Sequence, residues 1–557
     1  SQWGYRPVWK RSVADIESDG EMAKRFWLVF EDEAGVGAEI TGRLRALGHR
    51  VATVRQGDNF GKRGPDSYVV CPEGDRSGYD ALFSGLAADG ELPTEMLHLW
   101  LLTQGEKHRP GSSFFHRNQE CGFYSLLHLS QAMADAGIAA PLHLTVATNG
   151  MQRVGDEALP YPDKATVLGP CQVLPKEMPG VTVRVIDFDL PRAASGAEKR
   201  RGLFVRGKAE AGPASGTTPD DLWNELLGAP ASEIVAWRKG LRWSRSHAAL
   251  KLPETGEVPY RTGGVYLFTG GHGDLALALA RQLVEQHAAR IALVGRRALP
   301  AREEWPSLKH ALARGDRLRT LIEAVEAMEA AGGDVLCLSA DVGNQEAMTA
   351  AVEETRRAFG RIDGVFHAAG LVKDDLIPLK THMDIEEVFS PKVLGTNVLA
   401  DVLDRETLDF LVLFSSTSTD TAPAGQVDYV AANAYLNAFA EAERGRSNRK
   451  TVAVHWGIWD ETGLAARAMG RARADTTGQP VRHGPFFERW EADADGVDWL
   501  ERTVSPERDW LLSEHRLTSG TALLPGTGYI ELIVEAAREY GLPSQLTISD
   551  LSLIHIS

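Results

Sequence analysis

The sequence predicts an α/β protein of two consecutive doubly wound blocks with parallel sheets, followed by a short third element. Three observations carry that reading. Apolar runs alternate with helically spaced apolar residues twice over, the pattern of strands joined by crossover helices. The stretch Leu250–Gly264, with Pro253, Pro259 and two adjacent glycines, separates the two series. The residues from Pro506 onward are too few to bury a core of their own.

In the first block the apolar and helical runs fall at Phe26–Phe30, Ala38–Leu47, Val51–Val54, Leu97–Leu102, Tyr124–Ala136, Leu142–Thr148 and Val181–Ile186. The second block opens with a strand at Val265–Phe268, a helix at Asp274–His287 and a strand at Ile291–Val294. Leu318, Ile322, Val325 and Met328 mark one face of a further helix. More strands are expected at Val335–Leu338, Val365–His367, Phe410–Phe414 and Val452–Trp456. From about Ala474 to Val504 the chain is rich in Gly, Pro and charge and reads as a linker or lid. The expected boundaries are 1–250, 251–470, 471–505 and 506–557.

Composition narrows the functional classes. Hydrophobic residues make up 43% and charged residues 24%, the balance of a globular chain. A net charge of −16 argues against nucleic acid as the main partner, because phosphate contacts need clustered Lys and Arg. Cys71, Cys121, Cys171 and Cys337 are scattered, without metal spacing, which fits a reducing, cytoplasmic compartment and no metal site. No stretch reaches the roughly 18 apolar residues of a membrane span, and the N-terminus lacks signal-peptide character. With no initiator Met, the chain is expected to be part of something longer.

The strongest local motif follows the first strand of the second block, at Thr269-Gly-Gly-His-Gly-Asp-Leu-Ala276. Glycine at 270, 271 and 273 lets the backbone turn tightly and approach a pyrophosphate, and the following helix start offers free N–H groups. Thr269, Gly270, Gly271, His272, Gly273 and Leu275 are therefore candidate dinucleotide contacts; a plain tight turn is the alternative. The second strand ends Leu293-Val-Gly-Arg-Arg297, where Arg296 suits a 2′-phosphate and hence NADPH; a solvated loop arginine is the bland reading. Asp341 and Val342 are candidate adenine contacts, and Ala368, Ala369 and Gly370 supply small residues where the cofactor passes. The look-alike Gly35-Val-Gly37 in the first block has no third small residue and reads as a turn that binds nothing.

Tyr429 and Asn433 share one helix face, Ser416 sits just past a strand, and Lys392 follows Ser390-Pro391, read as a cap and first helical turn. Taken singly these are a helix lysine, a loop hydroxyl, an interface aromatic and a surface amide. Together with the nucleotide segment they resemble the short-chain dehydrogenase/reductase superfamily, and within it the ketoreductase domains of type I modular polyketide synthases. The resemblance rests on Leu411-Val-Leu-Phe-Ser-Ser416, Tyr429-Val-Ala-Ala-Asn433 and Trp456-Gly-Ile-Trp459 followed by Gly463. In the first block it rests on Thr148-Asn-Gly-Met-Gln152 and Lys164-Ala-Thr-Val-Leu-Gly-Pro170. It covers roughly Trp3 to Ala465, and the lysine preceding the tyrosine is the exchanged order of these synthase domains.

The resemblance implies a Rossmann-like structural half that binds nothing and an NADPH-binding catalytic half. The expected reaction reduces a β-ketoacyl thioester, carried on the phosphopantetheine of an acyl carrier protein, with other synthase domains as partners. Tyr429 would supply the proton, Ser416 a hydrogen bond to the carbonyl, Lys392 a cation that favours phenolate, and Asn433 a proton relay. Asp374 matches one Asp of the loop motif of B-type enzymes, which set a D-hydroxyl, while Lys373 replaces the other. The alternative is a catalytically silent fold serving as module scaffold. Asp509-Trp through Pro525-Gly-Thr-Gly-Tyr529 resembles the opening of a polyketide synthase dehydratase, a hot-dog α+β domain in which His515 matches the base. Its Asp partner would come from a second half, so His515 alone makes an incomplete site.

Overall fold

The computed structural model describes residues 4–14, 24–103, 112–138, 141–189, 219–251, 258–313, 315–444, 449–457, 459, 489–492, 498–501 and 534. One compact unit contains both predicted α/β blocks, Ser1–Ala301 with Glu323–Trp459. A second contains Arg302–Ile322 and Asp460–Ser557.

The strands of the first block are β1 (Gly4–Arg11), β2 (Phe26–Phe30), β3 (Arg50–Gln56), β4 (Gly61–Gly64) and β5 (Ser67–Val70). They continue with β6 (Glu95–Leu101), β7 (Leu142–Asn149), β8 (Val181–Phe188), β9 (Glu233–Arg238) and β10 (Leu241–Leu250). The sheet order is β1-β10-β9-β8-β7-β6-β2-β3-β5-β4, parallel from β5 through β9 and antiparallel where β10, β1 and β4 are added. Every residue of β2, β6 and β7 is buried, as expected of parallel strands covered on both faces. Strand β1 pairs Gly4 with Leu250, and its mixed exposure explains why no local pattern announced it.

The second block contains β11 (Val265–Thr269), β12 (Arg290–Gly295), β13 (Val335–Ser339), β14 (Gly364–His367), β15 (Phe410–Ser416) and β16 (Lys450–Trp456). Its order, β13-β12-β11-β14-β15-β16, is parallel throughout, so the strand order reverses between β11 and β14. Ligands of such sheets bind at the carboxyl ends of the strands beside that reversal. The helix Asp274–His287 has the predicted bounds.

One local reading is corrected. Ser390 does not cap a helix: its φ of −53° and ψ of −54° are helical, and the cap is Thr381, whose hydroxyl accepts from the Asp384 N–H. Helix His382–Phe389 runs into a π turn at Ser390–Leu394 and on into Gly395–Val402. Pro391 brings no N–H and a ring that crowds the preceding turn, and a widened turn accommodates both. The first block repeats the device, with a π turn at Glu120–Tyr124 before helix Ser125–Asp135. The first-block turn meets the helix that leads into the second turn: Phe123 and Phe389 lie 4.8 Å apart between ring centroids, and Tyr124 donates its hydroxyl hydrogen to Glu386.

A second contact joins the blocks more tightly. Helix Leu168–Glu177 lies against helix Val427–Glu443, and a Cβ at Gly169 would stand 2.2 Å from the Val427 carbonyl oxygen and 2.6 Å from the Ala431 Cβ. In the second compact unit, Arg302 lies over the Trp305 ring at 4.6 Å, and Arg489–Ala492 pairs antiparallel with Asp498–Glu501 inside the stretch read as a linker. Replacing Gly169 by Ala should cost about 1–3 kcal/mol through overpacking, read as a lower urea midpoint, and should also reduce turnover because the displaced helix carries Tyr429.

Candidate active site

At the reversal point the glycine turn and the loop after β14 come together. Gly270 has φ +64°, and a Cβ there would lie 2.6 Å from the backbone nitrogen and Cα of Ala369. Only glycine tolerates both the left-handed backbone and that approach. Gly271 is held equally closely, its Cβ position 2.9 Å from the Leu293 Cα, and its N–H donates to the Val294 carbonyl. Buried Thr269 and His367 tie the two loops by a 2.6 Å hydrogen bond between Oγ1 and Nδ1. Burial lowers the His367 pKa to about 3, so the ring is neutral.

Helix Asp274–His287 starts at Gly273, in extended backbone with no side-chain cap. That start retains the donors and partial positive charge that suit a pyrophosphate, and the glycine cradle fits a nicotinamide dinucleotide. Leu275 sits in the first turn, partly buried. The His272 ring packs onto Gly295, where a Cβ would stand 2.3 Å from Nδ1. Exposed Arg296 follows at the end of β12, its carbonyl accepting from the Ser339 hydroxyl. Asp341 is exposed and accepts from the Gly343 N–H at 2.9 Å, while Val342 beside it is buried. Thus the positions singled out for the cofactor all lie at the carboxyl ends of β11 to β14, on the strand end, the loops and the first helical turn that follow.

The first block makes the contrasting turn. Gly35 has φ +90°, but the Asp32 carboxylate accepts from the Gly37 N–H at 2.6 Å and the Val36 N–H at 3.3 Å. A carboxylate of the chain itself stands where a phosphate would.

Lys392, Ser416, Tyr429 and Asn433 converge beside the glycine cradle. Lys392 is buried within the π turn, donates from Nζ to the Phe414 carbonyl at 2.8 Å and lies 5.6 Å from the centroid of the Tyr429 ring. Its stem passes Gly370, where a Cβ would sit 2.7 Å from Cε. Burial lowers its pKa to about 7. Burial raises the Tyr429 phenol above its ordinary range, while hydrogen bonding with the Ser416 and Asn433 side chains pulls it down. Asn433 is fully buried and donates from Nδ2 to the Tyr429 carbonyl at 2.7 Å, and the Ser416 hydroxyl oxygen accepts from the Ser418 N–H at 3.1 Å.

Sequence reasoning missed the residues that brace the segments flanking this set. Gln426 donates to Asp374 at 3.3 Å, joining the loop after β14 to the start of the Tyr429 helix. Lys380 and Asp428 form an ion pair of 2.7 Å with both side chains fully buried. Glu177, from the first block, accepts from the N–H groups of Ile377 and Gly425 at 2.7 and 2.8 Å. The one signal for these residues was the place of Asp428 directly before Tyr429; their partners are remote in sequence. His515 lies outside the described residues. Among the described residues no group of three or more His, Cys, Asp or Glu could hold a metal, and no helix is long and apolar enough to cross a membrane.

Residues 264–461 match the KR domain family, residues 26–196 the family described as "Beta-ketoacyl synthase-like, N-terminal", and residues 488–556 the polyketide synthase dehydratase domain. The chain is 34% identical over 241 residues to 5-methyl-1-naphthoate synthase of Streptomyces sahachiroi, covering 43% of this chain and 13% of that protein. It is 38% identical over 207 residues to 6-methylsalicylic acid synthase of Aspergillus terreus, covering 37% of this chain and 11% of that protein. It therefore spans a small part of the length of these relatives. Among solved structures, an N-terminal ketoreductase from the macrolactin assembly line superposes with a TM-score of 0.65 at 23% identity, over 84% of this chain and 85% of that one. The first ketoreductase of the tylosin PKS does so with a TM-score of 0.59 at 24% identity, over 82% of each chain. Over residues 264–461 the chain belongs to the ketoreductase domains of polyketide synthases, NAD(P)H-using enzymes of the short-chain dehydrogenase/reductase type, and it continues into the start of a polyketide synthase dehydratase domain.

Proposed function

We propose that this ketoreductase reduces a β-ketoacyl thioester, held on the phosphopantetheine of an acyl carrier protein, to the β-hydroxyacyl thioester with NADPH, in the cytoplasm. The observation that carries the proposal is the convergence of Tyr429, Ser416, Lys392 and Asn433 beside a glycine cradle. Bound NADPH supplies the hydride. Tyr429 donates its phenolic proton to the carbonyl oxygen as negative charge develops there, and the Ser416 hydroxyl donates a second hydrogen bond to that oxygen. Lys392 stabilises the phenolate left on Tyr429, and Asn433 holds the relay that returns a proton to it. Arg296 grips the 2′-phosphate, and the loops at Asp341–Val342 and Ala368–Gly370 hold the adenosine and the body of the cofactor.

The domain reading is likewise a proposal: a structural half over 1–250, a catalytic half over 251–470, a lid or linker over 471–505, and the start of a dehydratase over 506–557. We assign B-type stereochemistry, giving a D-hydroxyl, from Asp374, a reading supported by its hydrogen bond with Gln426, three residues before Tyr429.

Three measurements test these roles. With a β-keto thioester mimic the chain should consume NADPH and release one β-hydroxy enantiomer, and Tyr429→Phe should lower kcat by about 10²–10⁴-fold. An unchanged rate in that variant removes Tyr429 from the mechanism. Arg296→Ala should reduce the preference for NADPH over NADH in kcat/KM by roughly tenfold to a hundredfold, one charge-assisted contact being worth about 1.5–3 kcal/mol. Lys392 titrates about pH 7 in the fold and near its ordinary value when unfolded, so between those values the unfolded state binds more protons and stability rises with pH. Lys392→Met should therefore gain most stability over wild type below pH 7, the gain shrinking toward alkaline pH in urea titrations.

A further inference from the structure

Two fully buried charges stand directly behind the proposed proton donor, and no step of the proposed reduction uses them. Lys380 Nζ and Asp428 Oδ2 are 2.7 Å apart, with neither side chain exposed. The other Asp428 oxygen accepts from the Tyr429 N–H at 2.8 Å, in the first turn of the helix, where backbone donors have no helical partner. Lys380 also donates to the carbonyl of Lys373, the residue before Asp374. One ion pair thus holds the loop after β14 at one end and the start of the Tyr429 helix at the other.

The first block reinforces the same two segments. Gln131 Nε2 donates to the carbonyls of Ile377 and Lys380 at 2.9 and 3.0 Å. Glu177 receives the Ile377 and Gly425 N–H groups, and the Asp375 N–H donates to the Gly425 carbonyl at 3.0 Å. Fully buried opposite charges are not a reliable source of stability, because desolvation offsets their attraction. What such a pair supplies is a fixed register between the segments that it joins.

We propose that Lys380 and Asp428 are positioning residues for the reduction: their ion pair sets the Asp374 loop against the Tyr429 helix and thereby fixes the approach of the ketone to the proton donor and the face on which it is reduced. The inference rests on the reductase reading above. Its two consequences are separable from cofactor binding, since Lys380 stands ten residues beyond Gly370 on the connection after β14 and Asp428 lies on the Tyr429 helix.

The test uses the full chain in three forms besides wild type: Lys380→Arg, Lys380→Met, and the double variant Lys380→Met with Asp428→Leu. The double variant replaces the charges with apolar groups, a change that often leaves stability intact, so it remains folded if the single variant does not. Thioester reduction, enantiomeric purity of the product, KM for NADPH and hydrogen exchange of residues 371–381 and 425–430 are measured on each. The double variant should keep its unfolding midpoint and its KM for NADPH within about twofold, yet lose roughly tenfold to a hundredfold in kcat. It should also yield a mixture of enantiomers and exchange faster in both segments. Lys380→Arg should restore most of the purity.

A folded double variant with wild-type kcat, purity and exchange would overturn the positioning role, because the pair would then be replaceable packing. Loss of activity in step with loss of folded protein, at unchanged purity, would overturn it too. A wild-type chain that leaves the thioester untouched would sink the reductase reading instead, and the exchange of the two segments would still decide whether the pair locks them.

Discussion

The close approach of Gly169 to the first turns of the Tyr429 helix is the constraint on which the rest of the site depends. A helix of the first block meets the Val427 carbonyl without room for a single methyl group. The helix that presents Tyr429 and Asn433 is therefore seated against the other half of the molecule. The first block, whose own glycine turn is filled by a carboxylate, has a mechanical task. It also contributes Glu177 and Gln131, which hold the connection after β14 and the residues before the Tyr429 helix. Packing between rigid elements of this kind fixes reacting groups more precisely than loops alone.

The electrostatics of the site follow from burial. Lys392 lies buried against the Phe414 carbonyl with its pKa brought down to about 7, and the Tyr429 phenol is pushed up. The fold thus favours the protonated tyrosine, as the proposed donor role requires, beside a lysine whose own charge is lightly held. His367, kept neutral, joins the two cofactor loops without adding a charge beside that ammonium. The π turn around Pro391 serves the same arrangement, since it carries Lys392 and lets the side chain pass Gly370 toward the Phe414 carbonyl.

Much of this was legible in the residues. The continuous apolar runs of β2 and β11 gave their burial, and the glycines at 270, 271 and 273 gave the turn, because both are local demands of backbone and solvent. The four side chains beside the cradle were legible as a set through their resemblance to a reductase family. What stayed hidden depended on remote pairing. Strand β1 joins β10 across most of the first block, and Lys380 meets Asp428 only once the sheet has brought two loops together. The π turn was misread because Ser-Pro is also the signature of a helix start, and only the helical backbone of Phe389 and Ser390 distinguishes the two.

The Asp32 carboxylate carries a consequence for stoichiometry. Tethered four and five residues before the donors it occupies, it competes with any dissolved phosphate as an intramolecular ligand, whose effective concentration is of the order of millimolar or more. Among the described residues, the glycine turn of the second block is thus the one left open to a dinucleotide phosphate, although two doubly wound sheets are present. In the proposed reduction each turnover would then draw one hydride, a pair of electrons, from a single nucleotide, and the first block would add no second demand on it.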